Sequence, residues 1–277
     1  MARHGHHDER RIAVNEHGAG GETAWTSDEM MTVAASRSLL DGVTCFVGIG
    51  LPSAAANLAR RTHAPGIVLV YESGSIGAKP SKLPLSIGDG ELAETADVVI
   101  SIPEIFNYWL QPGRIDMGFL GAAQIDRFAN INTTIIGNDY LSPRVRLPGA
   151  GGAPEIAGAC GEVTVVMRHG LKAFVEKVDF VTTVGYGRGQ GDREKWGLRG
   201  QGPTTVITDL GILKPDPESC ELVLVSTHQG VSIEDVQMQT QWPLKVTTEL
   251  ATTEPPTPHE LEALRSLTKA TETAATA

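Results

Sequence analysis

The segment VTCFVGIGLPSAAANLARRTHAPGIVLVYESG, residues 43–74, decides the fold because it contains a strand, a helix and a second strand in succession. Two short apolar runs, Val43 to Val47 and Ile67 to Tyr71, have the length and the β-branched content of buried strands. An alanine-rich stretch with helical spacing lies between them, and Pro65-Gly66 ends it. Such a unit favours a parallel sheet with helices on its faces.

The same alternation continues in both directions along the chain. Ser27 is expected to be the N-cap of a helix that ends near Asp41 and Gly42. Further strands are expected at Val98 to Ile102, Met117 to Ala123, Val163 to Met167, Phe180 to Val184, Thr204 to Thr208 and Leu222 to Ser226. The sequence therefore predicts an α/β fold whose open, mostly parallel sheet is covered by helices.

The domain organisation predicted from the sequence is simple. Residues 1–24 show no apolar periodicity and are expected to form a disordered N-terminal extension. Residues 25–254 are expected to form one domain, since no clean linker interrupts them. The remainder, residues 255–277, is expected to be a C-terminal tail, with a short helix where leucines recur between His259 and Lys269.

Composition excludes several classes of function. The formal net charge of −10 argues against nucleic acid or an anionic membrane as a partner. No apolar run reaches the length of about 20 residues that crosses a bilayer. The three cysteines form no CxxC pair, so neither a disulfide framework nor a metal site is predicted. The start of the chain lacks the apolar core of a secretory signal, and a cytoplasmic location is expected.

A single carboxylate, Glu72, follows directly after the strand that ends at Tyr71. The next two residues, Ser73 and Gly74, predict a tight turn that would hold the acid in one direction. Ligands of α/β proteins bind beyond the carboxyl ends of parallel strands, where Glu72 is expected. The alternative is an acid that is simply solvated at the end of a strand.

Two glycine-rich turns are candidates for anion binding. Gly48 and Gly50 lie between a strand and a helix, where backbone amides can face a ligand. They match neither the dinucleotide fingerprint nor the P-loop, and plain turn chemistry is the alternative. The segment Gly149 to Gly152 precedes Pro154 at an expected helix start, which is a way to build an oxyanion hole. A flexible surface loop is the alternative there.

The stretch AQIDRFANIN, residues 123–132, is a polar turn between two expected strands. Asp126, Asn130 and Asn132 are residues that commonly bond their own backbone in such turns. Gln124 differs because it closes an apolar strand, where its amide could donate to a carbonyl oxygen of a ligand.

Taken in order, these segments resemble the class I CoA-transferases, and within them the B-type subunit of the glutaconate branch, over residues 26–245. The segments that carry the resemblance are GIGLP at 48, YESG at 71, FLGAAQIDRFANINTT at 119, GAGGA at 149, VDFVTTVGYG at 178 and VITDLGILKPD at 206. Their agreement in order is far more specific than any one of them.

The resemblance implies roles for individual residues. The family's covalent nucleophile falls on Glu72, its oxyanion-hole amide on Gly152, and the glutamine of its AQID segment on Gln124. Residues expected near the substrate and CoA are Gly48, Gly50, Ser73, Gly74, Gly149 and Gly151. The chain has Ala129 where relatives often have glycine, and Ser73 where other branches have asparagine; the second departure agrees with the glutaconate branch.

The resemblance also implies a function and a partner. CoA would move between a small dicarboxylic or oxo acid and an acyl-CoA through a glutamyl-CoA thioester, with the CoA thioester as substrate and no bound cofactor or metal. A homologous A-type subunit would complete the enzyme in an AB or A2B2 assembly. The alternatives are an acyl-CoA hydrolase or decarboxylase on the same fold, and a non-catalytic subunit.

Overall fold

The computed structural model describes residues 24–275, so the extension expected over residues 1–24 lies outside the described residues except at its last position. The strands of the described chain are β1 Thr44–Val47, β2 Val68–Val70, β3 Ser75–Ile76, β4 Val98–Val99, β5 Met117–Leu120, β6 Gln124–Ile125, β7 Ile131–Asn132, β8 Ile135–Ile136, β9 Val145–Arg146, β10 Glu162–Val166, β11 Pro203–Ile207, β12 Gly211–Pro215, β13 Leu222–Thr227 and β14 Lys245–Thr252. The helices are α1 Ser27–Arg37, α2 Leu51–Arg61, α3 Gly90–Glu94, α4 Ile102–Glu104, α5 Ala153–Ala159, α6 Asp192–Lys195, α7 Ile233–Met238 and α8 Pro258–Ala275, with a π-helix at Ile105–Leu110 after α4.

A ten-stranded sheet in the order β14-β13-β12-β11-β10-β5-β1-β2-β3-β4 forms the centre of the fold. Its middle, from β11 through β10, β5 and β1 to β2, is parallel throughout. Antiparallel pairs occur toward its two edges, at β3 and β4 and around β12. The predicted open, mostly parallel sheet is confirmed, and the carboxyl ends of β1, β2, β5 and β10 share one edge.

One predicted strand is wrong. The segment Phe180 to Val184 forms no ladder and contributes only an isolated bridge between Thr183 and Ile131. The amides of Thr182 and Thr183 both donate to the Ile131 carbonyl, at 2.9 and 3.0 Å. Consecutive amides of a strand point to opposite sides, so two bonds to one carbonyl are incompatible with regular pairing.

Helices cover both faces of the sheet, because alternate residues of each strand point to opposite sides. On β1, Cys45 and Val47 pack toward α1 and α2, whereas Phe46 packs toward the π-helix and α5. Helix α1 starts with a capping box in which Thr26, rather than the expected Ser27, is the N-cap. None of the described helices combines the length and hydropathy needed to span a membrane.

The segment after residue 254 folds back onto the domain as helix α8, which is longer than the short helix expected between His259 and Lys269. Its Leu264 packs against Val33 of α1 and Leu58 of α2. Helix α8 is therefore held on α1 and α2 by a small apolar cluster that is separate from the core between these helices and the sheet.

An ion pair fastens α8 to the end of α1. Arg37 Nε and Nη2 donate to the two carboxylate oxygens of Glu260, both at 2.7 Å. Burial raises the pKa of Glu260, but hydrogen bonds from Arg37 and Thr257 outweigh that effect and hold the pKa at about 2. Because this value lies below the ordinary 4.5, the contact stabilises the fold above pH 4.5, and its contribution is lost as the pH falls toward 2.

We expect Glu260→Gln to lower the free energy of unfolding by about 1 kcal/mol at pH 7, in the upper range for partly exposed ion pairs. The difference between the variant and the wild type should shrink as the pH falls from 4.5 toward 2, because the wild type then loses the same charge. Thermal unfolding across that pH range measures the difference. The exposed neighbour Glu262→Gln serves as the control, and a difference that is independent of pH would contradict the assignment.

Candidate functional site

Glu72 lies at the tip of the hairpin that joins β2 to β3, at the carboxyl edge of the parallel strands. The Gly74 amide donates to the Tyr71 carbonyl at 3.0 Å, and the Tyr71 amide donates to the Ser75 carbonyl at 2.9 Å. These two bonds close a tight turn with Glu72 and Ser73 at its centre. The expected turn after the strand is present, and it holds the half-buried Glu72 in a defined direction.

Gly74 fixes this turn against the neighbouring strand. Its φ of +104° lies in the region that favours glycine, and a Cβ at this position would lie 1.9 Å from the Ile100 carbonyl oxygen. The Ile100 amide donates to the Gly74 carbonyl at 3.0 Å. No other residue type fits here, so the glycine is required for the backbone approach and not only for the turn.

Tyr71 anchors the other end of the turn in the core. Its side chain is fully buried, and its hydroxyl accepts from Asn57 Nδ2 at 3.1 Å and lies 3.3 Å from Ser53 Oγ. Asn57 and Ser53 lie one turn apart on α2, and both are buried. Burial raises the pKa of the Tyr71 phenol. The residue before the acid is thus tied to α2 through a buried polar network.

The glycine loop expected to form an anion site meets Glu72 in space. A Cβ built on Gly152 would lie 3.5 Å from the Glu72 carboxyl carbon, and one built on Gly151 would lie 3.7 Å from Glu72 Oε2. Gly152 is the N-cap of α5, with Pro154 in the first turn as predicted. Two candidate segments that are 80 residues apart therefore form one site, with a helix start facing a carboxylate.

Phe106 forms the wall behind the glycine loop. A Cβ on Gly152 would lie 2.8 Å from the Phe106 ring, so only glycine leaves the ring in place. The ring also packs edge to face on Phe46 of β1, with centroids 6.2 Å apart. Phe106 belongs to the π-helix, a rare element that often occurs at functional sites.

The remaining candidate glycines lie at the same edge of the sheet. Gly48 follows β1, and Gly50, with φ +86°, is the N-cap of α2. Gly149, with φ +108°, begins the loop that reaches Glu72. The hydroxyl oxygen of Ser73 is buried and has no hydrogen-bond partner among residues 24–275. An unpaired buried hydroxyl beside the acid is an unsatisfied group that a ligand can pair with.

Gln124 is buried and uses its carbonyl oxygen inside the protein. Oε1 accepts from Asn132 Nδ2 at 2.7 Å and from the Asp179 amide at 3.1 Å. Both partners are donors, so the orientation of the Gln124 amide is fixed. The residue joins the hairpin of β6 and β7 to the segment at 178–179. A donor role for its Nε2 group stays a prediction.

Asp126 and Asn130 organise the polar turn. Asp126 Oδ1 accepts from the Asn130 amide at 3.0 Å, and Asn130 Oδ1 accepts from the amides of Gly185 and Gly187. Burial raises the pKa of Asp126 despite these hydrogen bonds. Ala129 adopts φ +56°, in the left-handed region that favours glycine. The expected bonding to the backbone of the turn is observed for Asp126, whereas the carbonyl oxygen of Asn130 bonds the distant backbone of Gly185 and Gly187.

Sequence reasoning missed the supports of the site. Nothing in the sequence marks Phe106, because its position depends on the π-helix. Ser53 and Asn57 carry a weak signal, since they are polar residues four apart on an otherwise apolar face of α2. Buried polar side chains are nearly always hydrogen-bonded, and here the Tyr71 hydroxyl is the partner of both residues.

We expect Tyr71→Phe to lower the free energy of unfolding by about 1 kcal/mol, because it removes one buried acceptor while Asn57 Nδ2 keeps its bond to the Ser53 carbonyl. Urea unfolding monitored by circular dichroism measures the change. The exposed Tyr108→Phe is the matched control and should stay within about 0.5 kcal/mol of the wild type. Equal effects of the two substitutions would show that the Tyr71 hydroxyl does not anchor the turn.

Comparisons with known proteins agree with this geometry. A family model described as Coenzyme A transferase matches residues 28–239. The B-type subunit of 3-oxoadipate CoA-transferase from Pseudomonas knackmussii is 58% identical over 245 residues, which cover 88% of this chain and 94% of that protein. The B-type subunit of glutaconate CoA-transferase from Acidaminococcus fermentans is 36% identical over 231 residues, covering 81% and 85%.

The crystal structure of glutaconate CoA-transferase from Acidaminococcus fermentans superposes with a TM-score of 0.82 at 32% identity, and covers 88% of this chain and 95% of that chain. The predicted family is confirmed. The glutaconate branch within it is not confirmed, because the identity to the 3-oxoadipate enzyme is higher. The chain belongs to the coenzyme A transferase family.

Proposed function

We propose that this chain is the B-type subunit of a class I CoA-transferase that carries CoA as a thioester on Glu72. The observation that carries the proposal is the approach of the Glu72 carboxylate to Gly151 and Gly152 at the start of α5. A carboxylate in a rigid turn, opposite a glycine loop that ends in a helix N-terminus, combines a nucleophile with donors for a developing negative charge.

The proposed chemistry needs only carboxylates and the thiol of CoA. The Glu72 carboxylate attacks the thioester carbonyl of the acyl-CoA and expels the CoA thiolate, which leaves an acyl-glutamyl anhydride. The thiolate then attacks the glutamyl carbonyl and expels the donor carboxylate, so that CoA is held on Glu72. The acceptor acid repeats both exchanges in reverse. In each exchange a carboxylate and a thiolate replace one another at an acyl carbonyl carbon, so that no net proton or electron is consumed.

Each exchange passes through a tetrahedral oxyanion that requires a donor. The Gly152 amide has no hydrogen-bond acceptor among residues 24–275, and a Cβ built on this residue would lie 3.5 Å from the Glu72 carboxyl carbon. Its position at the N-terminus of α5 adds the favourable dipole of the first helical turn. One well-aimed donor to such an oxyanion is worth about 3 kcal/mol. We assign this role to Gly152, and a supporting donor role to Gln124 remains part of the proposal.

A second chain is proposed to close the site. A cavity of about 620 Å³ is lined by residues such as Arg127, Lys177 and Trp196 and does not include Glu72. Glu72 itself is only half-buried by the described residues, whereas an anhydride must be shielded from water. Both relatives named above are B-type subunits, which supports pairing with a homologous A-type subunit.

The substrate is proposed to be a small dicarboxylic or oxo acid. The relative at 58% identity is named for 3-oxoadipate and the relative at 36% for glutaconate. We therefore place 3-oxoadipate first among the acids to be tested and glutaconate second. Hydrolysis or decarboxylation of a CoA ester on the same framework is the second candidate, and a non-catalytic subunit is the third. The acid in the tight turn favours transfer over both.

We expect a CoA adduct on the peptide that contains Glu72 when the chain, co-expressed with its candidate A-type subunit, is incubated with a panel of acyl-CoA esters. Peptide mass spectrometry after rapid quenching detects the adduct and identifies the donor. Glu72→Gln should abolish both the adduct and transfer, because an amide is a poor nucleophile. Glu155→Gln, an exposed acid in the first turn of α5, is the matched control and should retain both.

The outcomes separate the candidate functions. Release of free CoA without any adduct on Glu72 would replace the proposal with hydrolysis, and loss of carbon dioxide without an adduct would replace it with decarboxylation. Unaltered turnover of the Glu72→Gln complex would support the non-catalytic subunit.

We expect Gly152→Ala to reduce kcat at least tenfold, because the new methyl group would collide with the Phe106 ring and push the loop away from Glu72. The backbone conformation of residue 152 is compatible with alanine, since its φ is −87°. Phe106→Leu in the same chain should restore part of the loss by freeing the space. Gly158→Ala, inside α5 and in ordinary contact with Leu198, is the control. Steady-state kinetics of the complex would contradict the assignment if the two alanine variants behaved alike.

A further inference from the structure

The geometry points to Thr133 as a positioning residue that clamps the glycine loop at the distance from Glu72 that the reaction requires. Thr133 Oγ1 donates to the Gly149 carbonyl at 2.8 Å, and the Gly149 amide donates to the Thr133 carbonyl at 2.8 Å. Two bonds in opposite directions fix both polar groups of Gly149. This inference rests on the proposed function of Glu72 and Gly152.

The loop has no comparable side-chain restraint at its other positions among the described residues. Gly149 and Gly151 both adopt positive φ, and a Cβ on Gly149 would meet no atom within 4 Å. The Ala150 carbonyl accepts from the Ala153 amide, which is a bond internal to the start of α5. The Gly149 end of the loop therefore depends on Thr133 for its position, whereas Phe106 backs the Gly152 end.

Thr133 can act as a clamp because its own backbone is immobilised. Its amide donates to Thr182 Oγ1 at 2.9 Å, and the same hydroxyl lies 2.7 Å from Thr134 Oγ1. The preceding Asn132 is fully buried, accepts from the Thr134 amide and donates to Gln124 Oε1. The network that holds Gln124 thus ends at the loop that approaches Glu72.

A role for the buried Gln124 and Asn132 pair follows from this connection. The pair does not contact the glycine loop itself, but it holds the residue that does. Catalysis depends steeply on such placement, since a displacement of about 1 Å at a reacting group costs as much as roughly 100-fold in rate. The Thr133 hydroxyl is therefore expected to affect the chemical step more than substrate binding.

The test compares Thr133→Val with Thr133→Ser in the complex with the A-type subunit. Valine keeps the shape of the side chain but removes the donor to the Gly149 carbonyl, whereas serine keeps the donor. We expect Thr133→Val to lower kcat roughly tenfold with KM nearly unchanged. Thr133→Ser should keep most of the wild-type kcat, because it keeps the hydroxyl donor. Thr204→Val is the matched control, because its hydroxyl bonds Glu162 between β10 and β11, away from the site.

Hydrogen–deuterium exchange of the peptide that covers residues 147–155 gives a readout that does not depend on activity. Faster exchange in Thr133→Val than in Thr133→Ser or Thr204→Val, together with the fall in kcat, would support the inference. Unchanged exchange would overturn the clamp, and faster exchange with an unchanged kcat would overturn its role in positioning. If the wild-type complex showed no transfer at all, faster exchange would still support the clamp while the proposed function failed.

Discussion

The close approach of Gly74 to the Ile100 carbonyl is the constraint on which the rest of the site depends. Only a residue without a Cβ fits at position 74, just before β3, against the backbone of Ile100, and this contact fixes one end of the tight turn that carries Glu72. Tyr71 holds the opposite end of the turn through its buried hydroxyl. An acid that follows a buried strand therefore points outward with a fixed direction, at the cost of a buried polar network on α2.

The two halves of the site are supported by different layers of the protein. The turn of Glu72 is tied to α2 and to the core between the sheet and α1, whereas the glycine loop is backed by Phe106 and the core on the opposite face. The central sheet lies between these layers and sets the distance between the halves. The separation of Glu72 and Gly152 is therefore sensitive to packing on both faces of the sheet.

Membership of the coenzyme A transferase family does not by itself assign a reaction, because function resides in the site and not in the fold. The covalent route is a proposal that rests on the approach of the Glu72 carboxylate to the glycine loop at the start of α5. Glu72 is half-buried in this chain, and under the proposed function a partner subunit would shield the anhydride from water. Because the net charge is −10, binding of the anionic substrates proposed above would depend on local groups and not on the overall charge.

The sequence by itself determined the alternation of strands and helices, the position of Glu72 after a buried strand, and the glycine loop before α5. These features depend on residues that are close in sequence, through apolar periodicity and turn-forming residues, and they can therefore be predicted without a structure. Tertiary structure alone decided that the loop meets Glu72 against Phe106, that Gln124 bonds Asn132 and Asp179, and that α8 packs on α1. The failed strand at residues 180–184 shows the same limit, because its amides bond a carbonyl about 50 residues away and local propensity contains no information about that partner.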